Sequence, residues 1–112
     1  MRTTDDRLRD ILAAIEKIEG SAAEGKELFS KDEYRQIYVI HHIQIIGEAV
    51  RACIEDLSCK CPEYPWKQTI GMRNILVHQY FGINLNEVWA VIEKDLPILK
   101  KNIQQLLSQT SL

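Results

Sequence analysis

Tyr38-Val39-Ile40-His41-His42-Ile43-Gln44-Ile45-Ile46-Gly47-Glu48-Ala49-Val50-Arg51-Ala52-Cys53-Ile54-Glu55-Asp56-Leu57 carries the strongest structural signal in the chain. Within it Val39, Ile43, Ile46, Val50, Cys53 and Leu57 advance by 4, 3, 4, 3 and 4 residues, the apolar stripe of one long helix. Tyr38, His42, Ile45, Ala49 and Ala52 keep the same rhythm beside it, so the buried face is wide. His41, Gln44, Glu48, Arg51 and Glu55 form a narrower polar stripe. A helix apolar over so much of its circumference belongs at the centre of a bundle.

The flanking sequence supplies the partners of that helix. Ser30 with Glu33 three residues on has the capping-box pattern, which predicts that the helix opens there and runs to about Leu57. Upstream, Leu8, Ile11, Leu12, Ile15 and Ile18 predict a first helix from about Thr4 to about Ala23, loosened by Gly20 and Gly25. Downstream, Ser58 to Pro65 reads as a loop, because Pro62 and Pro65 each remove an amide donor. A third, shorter helix follows from about Trp66 to about His78, and Gly82 closes the segment after it. Asn84 with Glu87 looks like another cap, opening a fourth helix to about Ser108 with Val88, Ile92, Leu96, Leu99, Ile103 and Leu106 on one face. Pro97 lies inside it and predicts a kink.

Composition agrees with this outline. The chain has 112 residues, 46% hydrophobic and 27% charged, with only 5 Gly and 3 Pro, too little punctuation for many short strands. An all-α, antiparallel bundle of four to five helices, one domain over residues 1–112, is the expected architecture. The charged start, Met1 to Arg7, lacks the apolar stretch of a secretion signal, and no run approaches a membrane span, so the expected location is cytoplasmic. In a reducing compartment Cys53, Cys59 and Cys61 read as free thiols. The formal net charge of −2 argues against a broad, sequence-blind nucleic-acid binder, which needs a basic face to neutralise many phosphates. Any RNA contact would be local, with Arg51, Lys60, Lys67, Lys100 and Lys101 as candidates for its rim.

Chemistry-bearing residues concentrate in Gly71-Met72-Arg73-Asn74-Ile75-Leu76-Val77-His78-Gln79-Tyr80-Phe81-Gly82. An imidazole moves protons near neutral pH, and a guanidinium offers parallel donors to a phosphoryl group gaining charge. Arg73 and His78 therefore suit RNA cleavage by attack of a 2′-hydroxyl on the neighbouring phosphorus. No carboxylate cluster suited to magnesium stands beside them, which favours a metal-independent route. On an ideal helix the two lie about 140° apart around the axis and about 7.5 Å along it. One helix does not aim both at one atom. Either the helix loosens near Val77, or two copies of the chain place their segments face to face across a two-fold axis. Asn74 lies four residues before His78 and shares its face, placed to orient the ring or contact a phosphate. Glu48 on the long helix is placed to orient Arg73 or His78 if the third helix packs alongside. The competing reading of the pair is structural: Arg73 bound to a surface carboxylate, and His78 finishing a helix whose C-terminal dipole suits its charge.

Neighbouring histidines and tryptophans read as structural. His41 and His42 point about 100° apart and do not chelate one metal in the i, i+4 manner. Cys59-x-Cys61 is not the usual spacing of structural zinc, so no metal site is expected. Trp66 and Trp89 sit within apolar patterns and are expected to pack rather than to stack on bases.

The segment from Gly71 to Gly82 resembles the Arg-x4-His-x-Tyr motif of the HEPN superfamily, specifically its HepT-like toxin (DUF86) group. Ile46-Gly47-Glu48-Ala49 and Pro65-Trp66 resemble that group too, and the similarity spans about Tyr34 to Leu99. The resemblance implies a homodimeric, HEPN-like all-α fold whose paired motifs line a cleft between subunits and cleave RNA, not DNA, with no metal or other cofactor. Arg73 and His78 would be the catalytic pair, with Asn74 and Glu48 in support. It further implies a type VII-like toxin-antitoxin pair, in which a minimal nucleotidyltransferase antitoxin transfers AMP from ATP to Tyr80. Two other readings compete: a non-catalytic subunit that presents nucleotide or substrate to such a nucleotidyltransferase, and a plain dimeric helical scaffold.

Overall fold

The computed structural model describes residues 2–78 and 84–110, with 73–78 and 110 described as helical backbone. All the regular structure among the described residues is helical. The first helix, α1 (Thr4–Ala22), is capped by Thr3, whose Oγ1 accepts from the Asp6 amide at 3.1 Å while the Asp6 carboxylate accepts the Thr3 N–H at 3.1 Å. This reciprocal box satisfies two of the amide donors that a helix start leaves open. Leu8, Ile11, Ile15 and Ile18 bury the predicted stripe.

The approach to the central helix differs from expectation. A short helix, α2 (Lys26–Lys31), follows Gly25, whose φ of 100° lies in the region that glycine adopts without penalty. Ser30 caps nothing: its Oγ donates to the Lys26 carbonyl at 2.8 Å inside α2. Asp32 instead accepts the Tyr34 and Arg35 amides at 3.0 and 3.3 Å and starts α3 (Glu33–Ala52). The carboxylate directly before the first helical residue displaces the hydroxyl two places earlier, because α2 must coil to drive Phe29 into the core, where it is 1% exposed.

The long helix ends at Cys53, not near Leu57. Cys53 leaves helical geometry (φ −128°, ψ 26°), and α4 (Ile54–Lys60) turns away by 75°. The apolar stripe crosses the corner unbroken because Cys53 and Leu57 are both buried on its inner side. Arg35 at the start of α3 donates to the Ser21 carbonyl at 2.8 Å and pairs with Glu24, past the end of α1. Arg2, Thr4 and Arg7 share a cleft with the end of α3 and α4. α1 and α3 are therefore antiparallel.

The third predicted helix is found as α5 (Trp66–His78), packed along α3. The fourth is not one kinked helix but α6 (Leu85–Ala90), a π turn (Val91–Asp95) and α7 (Leu96–Thr110). Asn84 caps it as expected, accepting the Asn86 and Glu87 amides at 3.0 and 3.3 Å. The π turn hands the Leu96 amide to the Val91 carbonyl, five residues back. Pro97, which has no amide to give, then falls in the first turn of α7, where a missing donor costs least. Val88, Leu96, Leu99, Ile103 and Leu106 of the expected face are buried, Val91 is buried in place of Ile92, which is only partly so, and Lys100 ties α7 to Glu19 of α1 at 2.9 Å. No single helix among the described residues is long and apolar enough to cross a membrane.

Candidate functional site

The site is built from α5 outward. Its first turn is anchored at several points: the Gln68 amide donates to the Pro65 carbonyl at 2.9 Å, and buried Trp66 donates its Nε1 hydrogen to the Cys61 carbonyl at 2.9 Å. The Tyr64 ring packs on Trp66 with centroids 4.5 Å apart, and its hydroxyl shares a hydrogen bond with buried Thr69 at 3.1 Å. Burial foremost, and the negative field of Asp95 less, push the Tyr64 phenol above its ordinary pKa. It stays neutral and keeps its hydrogen bond. This anchoring pair escaped the sequence reading, although an aromatic residue between two prolines, five places before a threonine, was its visible sign.

From that fixed start α5 runs helically through His78. Arg73, Asn74 and His78 all fall on it, and its backbone does not end at Val77, so the five-residue separation of Arg73 and His78 stands. The side chains of Arg73, Asn74 and His78, and Tyr80 with its neighbours 79–83, lie outside the described residues. The condition placed on Glu48 is met, since α5 packs along α3, where Glu48 is exposed.

The helix that carries Glu48 holds a surprise on the same side. Tyr34, Ile37 and Tyr38 are 86%, 56% and 42% exposed, where Tyr38 was expected in the buried face. Tyr34, His41 and Glu48 are heptad-spaced, so this stripe lies in line with Glu48 on one face of α3. Spacing alone does not say which apolar face a neighbour covers; here α1 and α5 cover two and leave a third open.

The other candidates resolve simply. His42 is buried, its Nδ1 2.7 Å from the Tyr38 carbonyl and its ring 4.3 Å from that of Tyr38, while His41 is exposed. Trp89 packs on Phe29 at 5.5 Å, so both tryptophans serve packing. All three cysteines are free; burial holds the Cys53 and Cys61 thiols above their ordinary pKa, aided at Cys61 by its bond to Glu63, which makes both poor nucleophiles. Of the cations named for an RNA rim, Lys60 pairs with Asp56 within α4 at 3.2 Å, and Lys100 pairs with Glu19 across α7 and α1.

The family model described as "Ribonuclease HepT-like" matches residues 11–106, from inside α1 to inside α7, and includes the whole Arg73-to-Tyr80 segment. The chain belongs to the HepT-like family. Among HepT-like relatives, "Putative RNase MJ1380" of Methanocaldococcus jannaschii is 38% identical over 105 residues, covering 86% of this chain and 95% of that protein. "Probable ribonuclease HepT" of Thermococcus cleftensis is 38% identical over 106 residues, 94% of this chain and 96% of its own length. "Putative RNase TTE0752" of Caldanaerobacter subterraneus is 35% identical over 95 residues, 85% and 82% of the two chains. No solved structure matches.

Proposed function

We propose that this HepT-like chain is a cytoplasmic, metal-independent endoribonuclease that acts as a homodimer, the toxin of a type VII-like pair. The observation that carries the reading is the continuity of α5 through His78. An unbroken helix holds Arg73 and His78 about 140° apart, so the pair converges on one phosphate when a second copy brings its own α5 opposite. The exposed Tyr34-Ile37-Tyr38 stripe supports that second copy, because apolar side chains aligned on one face mark surfaces that a partner covers. The names of the relatives support RNA as substrate.

In the proposed reaction neutral His78 takes the proton of a ribose 2′-hydroxyl as its oxygen attacks the adjacent phosphorus. Arg73 donates two hydrogen bonds to the phosphoryl oxygens as their charge grows. The 5′-oxygen leaves as it takes the proton back from the His78 imidazolium, which returns to its neutral form, and a 2′,3′-cyclic phosphate remains. Asn74, on the face of His78, orients the imidazole or holds a neighbouring phosphate, and Glu48 positions the cation or the ring from α3. The cognate minimal nucleotidyltransferase joins the Tyr80 phenolic oxygen to the α-phosphorus of ATP and releases pyrophosphate. The added phosphate and adenine occupy the cleft with negative charge and bulk.

Purified dimer should degrade RNA in excess chelator. Arg73→Ala and His78→Ala should each reduce the rate by roughly 10²-fold or more while the dimer persists. Equal cleavage by both variants and the parent overturns the nuclease reading. Co-expression with the adjacent nucleotidyltransferase should add AMP masses that Tyr80→Phe removes. Stable complex formation without any cleavage by this chain would favour the non-catalytic subunit instead.

A further inference from the structure

One feature of the molecule lies outside the RNA chemistry altogether: a groove of about 740 Å³ between the first half of α5 on one side and the π turn with α7 on the other. That volume suits a small organic molecule. Met72 of α5, Val91 of the π turn, and Ile98 and Leu99 of α7 supply hydrocarbon walls, and Ile98 is an exposed large apolar side chain. The polar lining is one-sided. Among the described residues it contains two carboxylates, Glu63 and Asp95, and no lysine, arginine or histidine. Asp95 enters none of the ion pairs among the described residues, and its field reaches the Tyr64 phenol at the same end of the groove. Tyr64 is itself held fast by Thr69 and Trp66, so an aromatic ring and an acidic edge are set beside an apolar channel before any ligand arrives.

Aromatic faces and carboxylates attract organic cations, whereas an anion would meet repulsion from both acids. We propose that this groove binds a small organic ammonium with an apolar body, its charge paired to Asp95 and Glu63 beside Tyr64 and its hydrocarbon laid against Met72, Ile98 and Leu99. Val91 and Asp95, four residues apart in the π turn ahead of Pro97, line the groove from one side. The assignment does not rest on the nuclease reading.

Tryptamine is a fitting probe, with indole-3-propionate as its counterpart of like shape and opposite charge. Titrated into the isotopically labelled full chain, tryptamine should shift the amides of the groove walls, Gly71 and Asn102 among them, to saturation. Indole-3-propionate should bind at least tenfold more weakly. Asp95→Asn and Glu63→Gln, both at exposed positions, should each weaken tryptamine several-fold. The proposal is overturned by absence of saturable shifts in the groove, by equal binding of the two indoles to the parent chain, or by unchanged tryptamine affinity in both variants.

Discussion

Phe29 illustrates how a single side chain overrides the local pattern around it. No periodicity announces α2, yet the need to bury one aromatic ring against Trp89 coils six residues and moves the start of α3 from Ser30 to Asp32. Truncation of so enclosed a ring removes its transfer energy and leaves a cavity. Phe29→Ala should therefore cost about 3 kcal/mol or more, read from chemical denaturation with an unchanged m-value. At the surface, hydrogen bonds from Thr3 hold the Asp6 carboxyl below its ordinary pKa, and those from Thr4 and Lys60 do the same for Asp56. A depressed carboxylate pKa stabilises the fold above the unfolded value, and that contribution is lost as pH falls through the folded one. Melting temperature should accordingly decline below about pH 4; Thr4→Ala should make that decline shallower, and Thr3→Ala less so, because the Thr3 amide still donates to the Asp6 carboxylate. A double variant with the parent's acid profile would show that these caps play no part in it.

Among the elements, α1 and α5 were legible almost to the residue, because each is bounded by a signal with one meaning: a stripe of isoleucines and leucines, or a proline pair followed by tryptophan. The central helix was legible in its face but not its end. Periodicity records which residues are buried, and Cys53 and Leu57 stay buried on both sides of the corner, so the turn leaves no mark in the spacing. Pro97 was read as a kink, and the strain it signals is present; the chain relieves it one turn earlier, through a π turn that no residue type announces. The Asp32 cap is the element-scale test. It holds two amides and the Arg35 guanidinium, at 3.1 Å, so Asp32→Ala should lower stability by about 1 kcal/mol, while Ser30→Ala should leave it nearly unchanged. Reversal of that order would return the cap to Ser30.

For the whole molecule, the Arg73-to-Tyr80 segment stood out in the sequence, and its spacing implied that one helix does not aim Arg73 and His78 at one atom. What spacing left out was the surface that would join two copies, since Tyr38 obeys the same rhythm as the core and yet is 42% exposed. Ile37→Lys places a charge in the middle of that stripe. Light scattering should show the proposed dimer dissociating, and RNA cleavage should fall with it although neither Arg73 nor His78 is touched. A dimer that survives the substitution with full activity would put the interface elsewhere.

The corner at Cys53 sets a rule for how such a chain tolerates change in length. Each residue inserted ahead of it, within α3, rotates everything beyond by about 100° and lifts it about 1.5 Å, so the buried faces of α3 on the two sides of the insertion would fall out of phase with each other. Beyond it, the short stretch 61–65 is not helical, so an extra residue there imposes no such rotation, although it would disturb the bond from Trp66 to the Cys61 carbonyl. Lengthening should thus cost less between Lys60 and Trp66 than between Asp32 and Cys53, which makes the bend the point where the molecule's gearing ends.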